Sequence, residues 1–276
     1  MFADDAVFCV SASTLLLCID KLKILIHKIS EWLKNNKLVP NVNKTKLMLF
    51  TPRPVKSLPD IFFNGERLEW VSDIKYLGIV IDNKLSFVLQ ASEVHRKLSK
   101  MQGIFYSLSS LMPKETLMTI YYALVYPLLI QNIIIYGGVP LANVRSIQVS
   151  MNKILRSILN VKFDENNIPL TPTNEMYKSL NLLKFEDIYK YFLLRFLHFI
   201  MYKDYDLFET YLRPLLPQHG YMTRNIRINL PSVRLQIEKQ SVIFQMCKLM
   251  NELPQHLIDP QSLYSLKINF KKICCC

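Results

Sequence analysis

The sequence predicts an α+β fold, in which a small sheet with one helix precedes a mostly α-helical region. In the first 82 residues, short runs rich in β-branched and aromatic residues surround a single helical pattern. Beyond Asn83, six segments show helical periodicity, with prolines between them. Half of the 276 residues are hydrophobic and only 20% are charged, so the chain holds enough apolar side chains to bury a core.

The first part of the chain is predicted to run strand, helix, strand, hairpin, strand. The segment Ala6–Val10 is a short β-branched and aromatic run, and Thr14 then offers a capping hydroxyl to a helix that ends at Asn35-Asn36. Pro52 to Pro59 is predicted to be a loop. Further strands are predicted at Leu47–Phe50, at Ile61–Phe63 before an Asn64-Gly65 turn, and at Lys75–Asp82.

The rest of the chain is predicted to be helical. The last residues, Lys267 to Cys276, have the pattern of a frayed basic end. Helices are predicted at 85–111, 114–132, 144–161, 174–180, 186–202 and 233–251.

The net charge of +12, with a pI near 9.3, favours a polyanionic partner, either nucleic acid or an anionic membrane surface. The uncharged segment Leu117–Val139 is long enough to span a bilayer, which leaves a membrane protein as one reading. Pro127 and Gln131 favour instead a buried helix that breaks, so we expect no membrane partner. The start of the chain lacks a secretion leader, which indicates an intracellular protein, nuclear or cytoplasmic.

The cysteines and histidines predict no metal centre. Cys9, Cys18 and Cys247 lie singly in apolar patterns, three further cysteines end the chain, and the five histidines are far apart. This spacing indicates reduced thiols rather than a disulfide framework or a zinc site.

An acidic pair, Asp4-Asp5, stands between Phe2-Ala3 and an apolar run. Two adjacent carboxylates on a tight turn can present both side chains to divalent cations, and nucleotidyl transfer uses two such ions about 4 Å apart. That chemistry needs a third carboxylate from another strand. A polar turn that binds nothing is the alternative reading of the pair.

Several further motifs follow the acidic pair in a fixed order. They are Trp32 to Asn36, Asn41 to Lys46 with the run "LMLF", Lys75 to Gly78, "IYYALVYPLLIQNIIIYGG" and "QVSMNKILRSILN". Together with "FADD", this ordered set resembles the reverse transcriptase of non-LTR (LINE-type) retrotransposons over roughly residues 1 to 200. The resemblance implies that residues 1–82 are the C-terminal part of a polymerase palm, 83–161 a helical thumb and 162–276 a helical C-terminal region.

The resemblance also implies a reaction and its partners. The parent enzyme is an RNA-directed DNA polymerase that uses an RNA template, a DNA primer, deoxynucleotide triphosphates and Mg²⁺. Asp4 and Asp5 match its metal-binding catalytic pair, and Lys44 matches a lysine near the phosphates of the incoming nucleotide. A solvated lysine in an Asn-rich turn is the alternative for Lys44, and Pro40 departs from the family pattern just before it.

Two more groups of residues match parts that touch the nucleic acid. Tyr76, Leu77 and Gly78 match the primer grip, a hairpin whose close backbone approach favours glycine; an ordinary strand whose Gly78 packs against a neighbour is the alternative. The basic residues of the thumb helices are candidates for phosphate contacts, although solvated helix faces show the same pattern. They are Arg96, Lys97, Lys100, Lys153 and Arg156.

In this family the fingers and the strand with the third metal-binding aspartate precede the acidic pair. Asp60, Asp73 and Asp82 belong to no matching motif, and no endonuclease domain is recognisable. We therefore expect a C-terminal fragment that does not polymerise by itself. A non-catalytic helical module that binds nucleic acid is the alternative function.

Overall fold

The computed structural model describes residues 5–51, 53–166, 168–216, 228–254, 257 and 263–274. Contacts divide the chain into two units, residues 1–75 with 82–85 and residues 76–81 with 86–276. The predicted α+β class is confirmed, since small sheets in the first part precede a helical remainder. The predicted three-part boundaries at 82/83 and 161/162 stay predictions.

The first unit is built around helix α1, Leu15–Asn35. The helix begins as predicted, because the Thr14 side chain accepts a hydrogen bond from the backbone N of Leu17 at 3.3 Å. It ends at Asn36, also as predicted. Its buried Ile19 belongs to a small core that includes Leu47, Ile61, Phe63 and Leu68.

Three two-stranded sheets follow α1. β1 (Lys46–Leu47) pairs in parallel with β4 (Glu69–Trp70), and β2 (Phe62–Phe63) pairs antiparallel with β3 (Glu66–Arg67). The predicted turn at Asn64-Gly65 is confirmed, with φ of 51° and 86° at its two residues. The third sheet joins β5 (Asp73–Tyr76) to β6 (Ile79–Asp82).

Two predicted strands are wrong, and a third, Leu47–Phe50, is confirmed only at Leu47, the last residue of β1. Lys75–Asp82 is not one strand, because the chain reverses at Leu77-Gly78 between β5 and β6. Ala6–Val10 forms no strand, and its first four residues are exposed. A strand exists only where a neighbour completes its ladder of hydrogen bonds, and β-propensity alone does not supply that neighbour.

The second unit is helical, and five of the six predicted helices are confirmed with small shifts of their ends. The sixth, 233–251, is wrong as a single helix, because the chain breaks at Gln240-Ser241 between Gln236–Lys239 and Val242–Glu252. The expectation of a frayed end is wrong for residues 267–274, which lie in the last helix. The helices are α2 (Val88–Leu108), α3 (Lys114–Ile120), α4 (Tyr126–Ile130), α5 (Ile133–Tyr136), α6 (Leu141–Ile158), α7 (Thr173–Ser179), α8 (Phe185–Lys203), α9 (Tyr205–Leu207), α10 (Gln236–Lys239), α11 (Val242–Glu252) and α12 (Leu263–Cys274).

The uncharged segment 117–139 is a buried helix that breaks, as predicted. A five-residue π-helical stretch, Tyr121–Val125, joins α3 to α4, and the break follows at Gln131 and Asn132. Leu117, Tyr121, Val125 and Leu129 are at most 1% exposed, so one face of this segment lies in the core. Within the described ranges, no helix combines the length and the apolar character that crossing a bilayer requires.

Candidate functional site

The acidic pair is only partly within the described chain. Asp4 lies outside the described residues, and the side chain of Asp5 is exposed. Over the described ranges, no three His, Cys, Asp or Glu side chains come close enough together to hold a metal ion. The described residues therefore do not make a two-metal site by themselves, and the assignment of Asp4 and Asp5 as Mg²⁺ ligands stays a prediction.

Lys44 lies in a short 3₁₀ turn, Val42–Lys44, whose geometry Asn41 fixes. The Asn41 side chain accepts a hydrogen bond from the backbone N of Lys44 at 3.1 Å, and the Asn41 carbonyl accepts one from the Thr45 hydroxyl at 2.9 Å. The Lys44 side chain is exposed. This turn holds an exposed ammonium directly before β1, and the role of Lys44 near nucleotide phosphates stays a prediction.

The candidate primer grip is the tip of the β5–β6 hairpin. Leu77 and Gly78 have φ of 46° and 82°, so both residues of the two-residue turn are left-handed, the conformation of a type I′ turn. Leu77 is 45% exposed at this tip. A hairpin thus stands where the resemblance places the primer grip, and its contact with a primer stays a prediction.

Two glutamines of the helical unit contact the hairpin. Gln90, which is 5% exposed in the first turn of α2, accepts a hydrogen bond from the backbone N of Val80 at 2.9 Å. Gln131 lies at the break after α4, and a Cβ built on Gly78 would be 2.7 Å from its Nε2. Gly78 therefore packs against a neighbour, as the alternative reading expects, and also has the backbone that a hairpin turn requires.

Two of the five predicted phosphate-contacting residues share one acidic partner. The Arg96 guanidinium donates two hydrogen bonds to the Glu93 carboxylate, at 2.7 and 2.8 Å, and Lys97 Nζ lies 3.8 Å from the same group. The hydrogen bonds to Glu93 raise the pKa of Arg96 above its ordinary value. Glu93 therefore offsets part of the positive charge that these residues would offer to a phosphate.

The other three predicted residues, Lys100, Lys153 and Arg156, form no ion pair with any residue that the structure describes. Lys100 and Lys153 are exposed, on α2 and α6, two helices that pack against each other. Arg156 is half-buried, and its Nε is buried with no described hydrogen-bond partner. Lys100 and Lys153 are therefore the two predicted phosphate contacts that combine exposure with the lack of a described acidic partner.

Sequence reasoning missed four residues of this region. Lys114 and Arg145 are exposed cations in the helical unit, on α3 and α6, and the count of charges along the segment would have found them. Gln90 and Gln131 follow no motif. The only signal for them is an uncharged polar residue inside an apolar run, and that signal does not say what it pairs with.

The structure groups the candidate residues in two sets. Asp5 and Lys44 belong to the first unit, whereas residues 76–81 and the basic residues of α2, α3 and α6 belong to the helical unit. The helical unit therefore carries both the candidate primer grip and the candidate phosphate contacts.

Two curated proteins are similar to this chain, both named RNA-directed DNA polymerase from mobile element jockey. The one from Drosophila funebris is 24% identical over 161 residues, and the one from Drosophila melanogaster is 24% identical over 166 residues. Each match covers 57% of this chain and only 17% of the relative's length. No family model and no solved structure matches the chain. The resemblance that the motifs predict is thereby confirmed: over more than half of its length, this chain is similar to a short part of the reverse transcriptase of a non-LTR mobile element.

Proposed function

We propose that this chain is the part of a non-LTR RNA-directed DNA polymerase that binds the template–primer duplex, and that its helical unit makes most of the phosphate contacts. One observation carries the proposal. Residues 86–161, within the helical unit, hold seven Lys and Arg against two Glu, so a stretch of 76 residues supplies +5 of the net +12. A local excess of cations is the electrostatic footprint of a nucleic-acid partner.

The pairing of these charges supports the proposal further. Glu93 is engaged by Arg96 and Lys97, which leaves five of the seven cations without an ion pair to any described residue. They are Lys100, Lys114, Lys153, Arg145 and Arg156. Cations on packed helices contact phosphate oxygens without reading base sequence, which suits a polymerase that must accept any template.

The catalytic part of the proposal rests on the resemblance. In the complete enzyme, Asp4 and Asp5 would hold Mg²⁺ together with a third carboxylate, and Lys44 would lie near the phosphates of the incoming deoxynucleotide. Because the described ranges hold no group of three His, Cys, Asp or Glu that could bind a metal ion, we expect the chain assayed alone to extend no primer. Primer extension with Mg²⁺ or Mn²⁺ tests this, and incorporation that Asp4→Ala abolishes would contradict it.

A helical module that binds nucleic acid without catalysis is the second candidate, because the charge excess lies in the helices and not beside the acidic pair. Both candidates require binding of an RNA–DNA hybrid that weakens steeply with salt, with log K falling by about 0.7 to 0.9 per phosphate contact for each unit of log salt. Fluorescence anisotropy with a labelled hybrid at several salt concentrations measures this slope. Absence of binding, or binding that salt does not change, would overturn both candidates. Primer extension, restored when the chain is joined to the preceding region of a relative, would favour the first.

A further inference from the structure

The tip of the β5–β6 hairpin belongs by its contacts to the helical unit. Residues 76–81 group with 86–276, whereas the residues on either side, up to 75 and from 82 to 85, group with the first unit. The hairpin tip is therefore attached to the helices through contacts that do not depend on its own chain neighbours.

The first of these contacts is the hydrogen bond from Val80 N to Gln90 Oε1 at 2.9 Å. Gln90 is 5% exposed and lies among buried apolar residues of α2 such as Ala91 and Val94. A buried amide in an apolar environment is unfavourable unless it is hydrogen-bonded, so this acceptor is suited to satisfying a strand N–H. Val80 lies two residues after Gly78, and the bond thus fixes the strand that leaves the turn.

The second contact is at the turn itself. Gln131 stands where the apolar segment breaks between α4 and α5, with ψ of 114°, and Asn132 follows with φ of 59°. This geometry places the Gln131 amide against the backbone of Gly78, in the space that a Cβ would occupy. The break in the helix thus provides the surface on which the tip of the hairpin rests.

We propose that Gln90 and Gln131 are positioning residues that hold the Tyr76-Leu77-Gly78 turn on the helical unit, and so set where the turn meets the primer end of a duplex bound by that unit. This inference rests on the proposed function for its ligand, and on the two contacts for its geometry. Neither glutamine touches the reacting atoms.

The first test is hydrogen exchange on the full chain, read at the amides of residues 76–81. Gln90→Met keeps the side-chain volume and removes the acceptor, and we expect exchange in the hairpin to become about fivefold faster, the ratio that one lost hydrogen bond of about 1 kcal/mol gives. Equal rates in wild type and Gln90→Met would overturn the role of Gln90.

Exchange in α11 (Val242–Glu252), remote in sequence, shows whether each variant is folded. Gln131→Ala changes an exposed side chain and keeps the measurement possible if Gln90→Met does not fold. We expect faster exchange at residues 76–81 in Gln131→Ala, with α11 unchanged. An unchanged hairpin in this variant would overturn the role of Gln131.

The second test compares an RNA–DNA hybrid that has a recessed primer 3′ end with a blunt hybrid of equal length. We expect wild type to bind the recessed end more tightly, and Gln90→Met to lose that preference while its affinity for the blunt hybrid is unchanged. A retained preference in Gln90→Met would overturn the inference. If wild type binds neither hybrid, the proposed function fails, and the exchange experiment still decides whether the two glutamines hold the hairpin.

Discussion

The ring of Tyr189, on α8, packs directly on the backbone of Gly137, at the end of α5. A Cβ on Gly137 would overlap Tyr189 Cδ2, and a Cβ on the next residue, Gly138, would be 2.8 Å from the Tyr189 hydroxyl oxygen. Gly137 has an ordinary right-handed φ of −69°, so the approach of α8, and not the backbone conformation, is what requires glycine there.

We expect Gly137→Ala to lower the free energy of unfolding by about 1 to 3 kcal/mol, because the added methyl group forces the Tyr189 ring out of a packed core. Gly103→Ala is the matched control. Gly103 lies inside α2 with nothing within 4 Å of its potential Cβ, so this change should be neutral or stabilising by up to about 1 kcal/mol. Urea unfolding of both variants measures the difference, and equal losses would contradict the packing argument.

Gln148 is the centre of a polar network between α6, α7 and α8. Its Oε1 accepts a hydrogen bond from the Phe185 N in the first turn of α8 at 2.9 Å, and its Nε2 donates to Tyr177 Oη at 2.7 Å and Asn152 Oδ1 at 2.8 Å. Tyr177 Oη also donates to Asn152 Oδ1 at 2.9 Å, so Gln148→Leu leaves only the Phe185 N–H without its acceptor. This change should lower the free energy of unfolding by about 1 to 3 kcal/mol. Val149→Ala, at an exposed neighbour on the same helix, should change it by less than about 1 kcal/mol. Denaturant titrations of the two variants measure the free energy of unfolding. A loss in Gln148→Leu no greater than in Val149→Ala would contradict the role of the network.

The sequence predicts an element of this fold well when the interactions that determine it lie within the element's own residues. α1 was predictable because its apolar period and the Thr14 cap both lie within its own residues. The reversal at Leu77-Gly78 was not, because leucine is an uncommon first residue of a type I′ turn and "KYLGIVID" has the pattern of one strand. The failure at Ala6–Val10 has the opposite cause: the strand pattern is present, but within the described residues this segment pairs with no strand.

The candidate site likewise contains residues that the sequence indicates and residues that only tertiary contacts reveal. The family resemblance singled out Lys44 and implied a hairpin at Tyr76-Leu77-Gly78, where the local pattern alone indicated one continuous strand. Gln90 was not predictable, because its importance comes from the N–H of Val80, ten residues earlier, and no pattern reports which donor a buried amide will meet. The pairing of Arg96 and Lys97 with Glu93 was visible as i,i+3 and i,i+4 spacing, yet the spacing alone does not show that one carboxylate serves both.

The buried thiol of Cys247 should lower the free energy of unfolding as the pH rises into the alkaline range. Burial in α11 raises the pKa of this thiol to about 11, from about 9 in an unfolded chain. The raised pKa belongs to the folded state, so the thiol does not affect the pH dependence below pH 9 and destabilises the fold progressively as pH rises toward 11. The thiol of Cys247 accounts for a loss of about 2 to 3 kcal/mol in the free energy of unfolding.

We therefore expect the advantage of wild type over Cys247→Ala to shrink between pH 9 and 11. Cys9→Ala, at an exposed thiol, should follow the wild-type dependence. Unfolding free energies from urea titrations at several pH values measure both. A wild-type advantage that stays constant across this range would contradict the assignment.

Under the proposed function, Glu93 would limit the affinity of the helical unit for a duplex, because it pairs with Arg96 and Lys97 on α2. The same helix carries Lys100, which forms no ion pair with any described residue. We expect Glu93→Gln to tighten binding of an RNA–DNA hybrid several-fold and to steepen its salt dependence, since two cations become available to phosphates. Lys100→Ala should act in the opposite direction, lowering the salt slope by about 1, and Arg96→Ala should have a smaller effect than Lys100→Ala. Glu186→Gln is the matched control on α8. It also removes one negative charge and frees one cation, Lys190, which lies 2.8 Å from Glu186. Anisotropy titrations at several salt concentrations compare the four variants, and an equal gain in Glu186→Gln and Glu93→Gln would show that net charge, and not the α2 surface, governs binding.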